Sequence, residues 1–305
     1  MPASLPGPII GVVSLILYAI NTIVMVIPIY FVALLRLAMP AGAWRRICSR
    51  IIDGVATGWV AINNWNMRIT KNIQWDVRGT DSDKLKTDEW YLVLSNHQSW
   101  VDILVLQKIF HRKIPLLKFF IKKELIWVPF LGFAWWALDF PFMKRYSNAF
   151  LKKHPHLKGK DIETTRKACE KFKTIPISVM NFVEGTRFTI EKHQKQQSPF
   201  NYLLRPKAGG AAMVLDAMAG RLQRILNVTI VYPEGEKSFW AFLCGRIREI
   251  RVRVECLPIG KELLGDYFDD VEFRERFQKW ITALWADKDR QLGDLLNAPP
   301  TASEN

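Results

Sequence analysis

His97 and Asp102, five residues apart, belong to one polar stretch, Asn96-His97-Gln98-Ser99-Trp100-Val101-Asp102. An imidazole that donates from one ring nitrogen to a carboxylate keeps the other free as a base. The pair therefore suits removal of a proton from a hydroxyl. Spacing limits how the two can meet. If residues 97 to 102 were all helical, the side chains would point about 140° apart. Contact requires His97 to precede a helix and Asp102 to lie in its first turn. Ser99 and Asp102 also have capping-box spacing, with Asp replacing the usual Glu, so a helix cap beside a loop histidine is the plainer reading.

The flanking residues predict that geometry. Trp90-Tyr91-Leu92-Val93-Leu94 is short, β-prone and apolar, which reads as a buried strand, and residues 103–110 can continue as a helix. A second strand, residues 177–183, ends in Glu184-Gly185-Thr186-Arg187, another polar turn directly after a strand. Residues 72–80 read as a first strand and 225–232 as a third, ended by Pro233. Lys207-Ala208-Gly209-Gly210 precedes an apolar helix, residues 211–219. Ile250, Val252, Val254 and Cys256 alternate with charged residues, which predicts an amphipathic strand at the sheet margin. Asp161 reads as the N-cap of a charged helix over 162–174, and residues 191–206 read as a polar, mobile insertion. Strands alternating with helices imply an α/β domain: a mixed, largely parallel sheet covered by helices, with its site at the strand carboxyl ends.

The 305 residues carry a formal charge of +14 and include 12 Trp. That balance suits either nucleic acid or an anionic membrane surface. Nucleotidyl transfer needs carboxylates gathered around metal ions, and no DxD pair stands beside a Gly-Ser turn, so no nucleic-acid partner is expected. The four widely spaced cysteines form no CxxC pair, and His154-Pro155-His156 has no carboxylate or thiol nearby in sequence; no metal site is expected.

No charged side chain occurs from Met1 to Leu35, and residues 8–35 are nearly all apolar. About 20 apolar residues span a bilayer. The segment reads as one span kinked at Pro28 or as a helical hairpin. Arg36, Arg45, Arg46 and Arg50 come directly after it, placing the rest of the chain in the cytoplasm. Residues 1–50 are thus expected as a membrane anchor with a basic flank, and 51–74 as an interfacial helix. Residues 75–260 would form the main domain, 261–297 a C-terminal amphipathic helix and 298–305 a disordered tail. The uncharged stretch 125–138 is too short to cross a bilayer, so it lines a core or dips into one leaflet.

Four blocks stand in order: Asn96-His97 to Asp102; Lys123 with Pro129, Gly132 and Arg145; Phe182 to Arg187; and Lys207 with the strand ending at Pro233. Together they resemble the glycerolipid acyltransferase family over residues 75–235. The NHxxxxD and EGTR motifs carry the resemblance. It implies His97 as general base and Asp102 as its orienting partner, with Asn96 supporting them. Gly185, Thr186 and Arg187 would hold the acceptor's phosphate, with Glu184 shaping that turn and Arg145 contacting the same phosphate. Lys123 would serve the thioester oxyanion; Lys207 is a weaker supporting match. The implied co-substrate is an acyl-CoA or acyl-carrier-protein thioester, with no other cofactor, and the implied partners are a lipid bilayer and a lysophospholipid. No G-x-S-x-G elbow occurs, in keeping with direct transfer. Val183 before EGT, and Val228-Thr229-Ile230-Val231-Tyr232-Pro233 in the last block, look like the lysocardiolipin-acyltransferase-like branch of bacterial inner membranes. The implied acceptor is 1-acyl-glycerol 3-phosphate (lysophosphatidate), with lysocardiolipin as the alternative.

Overall fold

The computed structural model describes residues 6–38, 42–80, 84–143 and 175–299. Arg145 and the helix expected over 162–174 lie outside the described residues. Two long helices lead: α1 (Gly7–Ala38) and α2 (Ala43–Thr70). Then come β1 (Gln74–Arg78), β2 (Trp90–Ser95), α3 (Val101–Phe110), β3 (Leu117–Phe119), β4 (Ile121–Lys122), α4 (Leu131–Ala137) and β5 (Phe142–Met143). Past the undescribed stretch come β6 (Ser178–Phe182), α5 (Ile190–Gln196), α6 (Ala208–Ala217), β7 (Leu222–Val231), α7 (Phe239–Leu243), β8 (Glu249–Pro258) and α8 (Val271–Asn297).

Among the described residues six strands form one sheet in the order β1-β8-β7-β2-β6-β3. β7, β2, β6 and β3 run parallel; β8 is antiparallel to β7, and β1 is parallel to β8. The sheet is mixed and largely parallel, as its sequence predicts. Its central strand β2 is apolar on both faces because both are covered. One face packs on α6 and α8, through Ala211, Leu215, Phe277, Ile281 and Trp285. The other packs on α3 through Val101, Val105 and Leu106.

Four expectations change. β8 is not marginal: β1 pairs outside it, and Arg251 is buried. Its charge is accommodated because Glu249 accepts from Nε at 2.7 Å, while the carbonyls of Leu295, Ala298 and Pro299 accept from the guanidinium. Ala298 and Pro299 are thereby tied to the sheet; the rest of the expected tail, 300–305, lies outside the described residues. Residues 191–206 form α5 and a packed segment that buries Leu203 and Leu204, not a loose insertion. α8 shares one apolar cluster with Leu92, Leu94 and Val179, so the division drawn at residue 260 has no counterpart in the packing.

α1 is one continuous helix through Pro28, and α2 runs unbroken through Arg50. Thirty-two residues of helix extend about 48 Å, more than the ~30 Å apolar core of a bilayer. Val26, Ile29 and Ala33 pack against Ile52 and Ala56 of α2 and against Ala134 and Ala137 of α4. Asn21 donates to the Trp59 carbonyl at 3.0 Å, and Arg36 pairs with Asp139 at 2.8 Å. The stretch 125–138 is divided between core and surface. Ala134, Ala137 and Leu138 are buried, whereas Trp127, Phe130 and Phe133 are exposed.

Candidate active site

Register places the site. Ser95 of β2 lies opposite Phe182 of β6 and Val228 of β7, so the turns after β2 and β6 leave the sheet at one level. Asn96 closes the ladder where β2 ends. Its carboxamide donates to the Ile230 carbonyl and accepts from the Ile230 N–H, both at 2.9 Å, as a strand residue would with its backbone. The chain is then free to turn into α3.

His97 sits in that turn and Asp102 is the second residue of α3, the arrangement the spacing demands. His97 Nδ1 lies 2.9 Å from Asp102 Oδ2. The same oxygen accepts from the N–H groups of Gln98 at 2.6 Å and Ser99 at 2.8 Å. The Ser99 bond is the carboxylate half of the capping box; the Ser99 hydroxyl accepts from Val101 N–H instead. An ionised carboxylate only accepts, so Nδ1 carries the proton and Nε2 keeps its lone pair. Phe182 stacks under the imidazole at 3.8 Å between centroids, with 13° between planes. Cap and His97–Asp102 pair are one structure.

Tyr232 is a further member, one residue beyond β7. Its hydroxyl donates to Asp102 Oδ1 at 2.7 Å. Burial, and then the charge of Asp102, push its pKa far above the usual tyrosine value, so it remains a donor. Its place at the end of a buried strand was the signal available in sequence.

Glu184 is buried and faces inward from the second turn. Oε1 accepts from His97 N–H at 2.8 Å and Oε2 from Leu204 N–H at 2.9 Å. Burial raises its pKa to about 7; these two N–H donors oppose that shift, and the Asp102 charge adds to it. Gly185 is next, at φ 70°, where a Cβ would be strained. Phe188 N–H donates to the His97 carbonyl at 2.8 Å, pinning the two turns together.

The Arg187 guanidinium lies 4.4 Å from the ring centroid of Trp100, which belongs to the first turn. Contact through its flat face leaves the N–H edge able to grip an anion. Two lysines that the sequence did not single out join the group. Lys192 Nζ donates to Thr186 Oγ1 and to the Arg187 carbonyl, both at 2.9 Å. Lys237 Nζ donates to Gln98 Oε1 at 2.7 Å; burial lowers its pKa, while the charges of Asp102 and Glu184 raise it.

Two further expected residues, Lys123 and Lys207, have exposed side chains. Lys123 is exposed at the start of a 3-10 turn, Lys123–Trp127, beyond β4. Lys207 caps the start of α6, its N–H donating to the Val183 carbonyl at 2.7 Å while its side chain is exposed.

A family model for acyltransferases matches residues 76–233, from within β1 to Pro233. The chain belongs to the acyltransferase family. Lys237 and α8 stand beyond that acyltransferase match. Relatives include 1-acyl-sn-glycerol-3-phosphate acyltransferase epsilon of Mus musculus, 24% identical over 245 residues, covering 73% of this chain and 62% of that protein. This acyltransferase chain thus spans less than two thirds of that relative's length. Another is 1-acyl-sn-glycerol-3-phosphate acyltransferase 3 of Arabidopsis thaliana, 26% identical over 308 residues, covering 96% of this chain and 74% of that one. The crystal structure of the 1-acyl-sn-glycerophosphate acyltransferase of Thermotoga maritima aligns with 93% of this chain and all of that one, at TM-score 0.46 and 16% identity.

Proposed function

We propose that this chain transfers a fatty acyl group from an acyl-CoA or acyl-carrier-protein thioester to the free hydroxyl of 1-acyl-glycerol 3-phosphate, yielding phosphatidate. The observation that carries the reading is His97, held at 2.9 Å by Asp102 beside the Arg187 turn. His97 Nε2 takes the hydroxyl proton as the oxygen attacks the thioester carbonyl. The tetrahedral intermediate collapses, the C–S bond breaks, and the imidazolium returns the proton to the departing thiolate. Asp102 stabilises the transient imidazolium without taking its proton. Arg187 grips the acceptor's phosphate, and Lys192 and Lys237 add positive charge along the same edge. The relatives named for this reaction support the choice of acceptor.

On the same reading α1 sits in a bilayer, and Arg45, Arg46 and Arg50 keep the catalytic domain on the cytoplasmic face of a bacterial inner membrane. The test is a panel of lysophospholipids offered to detergent-solubilised protein with one defined thioester. Turnover of 1-acyl-glycerol 3-phosphate is expected to exceed that of lysophosphodiesters. Acylation of lysocardiolipin with none of lysophosphatidate would replace the acceptor and keep the chemistry.

A further inference from the structure

The C-terminal helix lies outside the family match, yet it reaches the catalytic turn through a short length of chain. Asp289 of α8 accepts Asn201 N–H on one carboxylate oxygen and Tyr202 N–H on the other, each at 2.8 Å. The Tyr202 carbonyl accepts from Gln98 Nε2 at 3.3 Å. Two residues on, Leu204 N–H supplies the second donor to Glu184, whose other oxygen holds His97 N–H. Residues 201–204 are therefore strapped between α8 on one side and the catalytic turn on the other.

The neighbouring residue of α8 supports the opposite flank. Lys288 is fully buried and donates to the Val228 carbonyl at 2.6 Å and to Thr229 Oγ1 at 3.1 Å. Both acceptors lie on β7, the strand that leads to Tyr232 and so to Asp102. Adjacent side chains of one helix thus reach both arms that hold the His97–Asp102 pair.

We propose that Asp289 is a positioning residue for acyl transfer: it fixes the strap 201–204, which completes the seat of Glu184 and so holds the His97 turn in its working place. A buried carboxylate with both oxygens occupied by backbone donors has one orientation, and each lost donor frees one oxygen. Without Asp289, two backbone N–H groups lose their acceptor and the strap loosens at its Tyr202 end. Gln98 and Glu184 then lose fixed partners together. The groups facing Glu184 electrostatically are Asp102 of α3 and Lys288 of α8, with Lys237 beyond β7 sensing it in turn. Loss of the Leu204 donor removes one bond favouring the ionised form.

This inference rests on His97 as the base, as proposed above, and is tested in the full-length protein with Asp289→Ala and Asp289→Asn. Asn keeps one acceptor oxygen, so it should fall between wild type and Ala. For Asp289→Ala we expect kcat to drop about tenfold with KM for lysolipid and thioester within about twofold, as for lost positioning with intact binding. Any titration of Glu184 in the pH–rate profile should move to higher pH, because its ionised form has lost the Leu204 donor. Amide hydrogen exchange at Leu204 and His97 should speed up, and Asp287→Ala, an exposed neighbour on α8, should change none of these. Faster exchange at 201–204 with unchanged kcat and pH profile overturns the proposal, as does unchanged exchange at His97. If Asp289→Ala does not fold, the Asn variant decides by the same readouts. Wild-type protein lacking acyl transfer overturns the proposed function instead, while the exchange coupling between Asp289 and His97 stays measurable.

Discussion

The turns after β2 and β6 face each other across one lip of the sheet, and they are built differently. The first holds Asn96, His97 and Asp102 through partners that are nearly all inside the protein: Ile230 for Asn96, Glu184 for the His97 N–H, and Tyr232 with three successive residues of the turn itself for Asp102. The second presents Gly185, Thr186 and Arg187 half-buried, tethered by Lys192 and by the face of an exposed tryptophan. On the proposed function, the chemistry needs an imidazole that does not move, and an anion arriving with its lipid needs donors that can adjust. The contrast divides labour, so changes in the first turn should lower kcat and changes in the second should raise KM.

The largest effect belongs to the first turn. His97→Ala should lower kcat by about 10²–10⁴-fold, the range of a general base, with lysolipid binding kept. Asp102→Asn should fall in the same direction. Its carboxamide offers one oxygen where four donors converge, and an NH₂ turned to Nδ1 imposes the wrong tautomer. Steady-state kinetics with binding measured separately checks both. A pure KM effect from either would erase the division between the turns.

Arg187→Lys tests the other side. A point charge replaces a planar fork and the stacking on Trp100 is lost, so KM for a phosphate-bearing acceptor should rise about tenfold while kcat changes little. Between the two in character is Tyr232→Phe. It removes one neutral-to-charged hydrogen bond from buried Asp102, worth about 1.5–3 kcal/mol of stability. Calorimetry should register that loss, and kcat should fall several-fold with KM unmoved.

Much of this division was legible in sequence. Short apolar runs ending in polar turns at residues 95 and 183 predicted two strand ends, and parallel strands bring such ends together. The five-residue gap between His97 and Asp102 fixed which of them precedes the helix. What escaped was every partner supplied from far along the chain. Tyr232 reads as the last apolar residue of a strand, and only the register of β7 against β2 brings it under Asp102. The segment 191–206 reads as loose because its residues are polar; in the fold its backbone N–H groups at 201, 202 and 204 are taken by Asp289 and Glu184. Arg251 reads as solvent-facing because alternation implies one wet side, yet the carbonyls that accept from it lie more than forty residues later.

The subtlest consequence concerns the charges buried behind the first turn. Burial raises Glu184 from 4.5 to about 7 and lowers Lys288 from 10.5 to about 7. Between pH 4.5 and 7 the folded protein keeps a proton on Glu184 that the unfolded chain has released, so stability falls as pH rises. Between pH 7 and 10.5 the unfolded chain keeps a proton on Lys288 that the folded protein has released, so stability rises with pH. The two opposed slopes meet near neutrality, where together they contribute a minimum in stability. Thermal unfolding from pH 5 to 9 separates them. Glu184→Gln should flatten the descending side and Lys288→Met the ascending side, whatever each does to the absolute Tm. No comparable change is expected from Arg187→Lys, a conservative change at a half-exposed position. Unaltered slopes in both buried-site variants would mean that water reaches these groups, and the first turn would then be no more enclosed than the second.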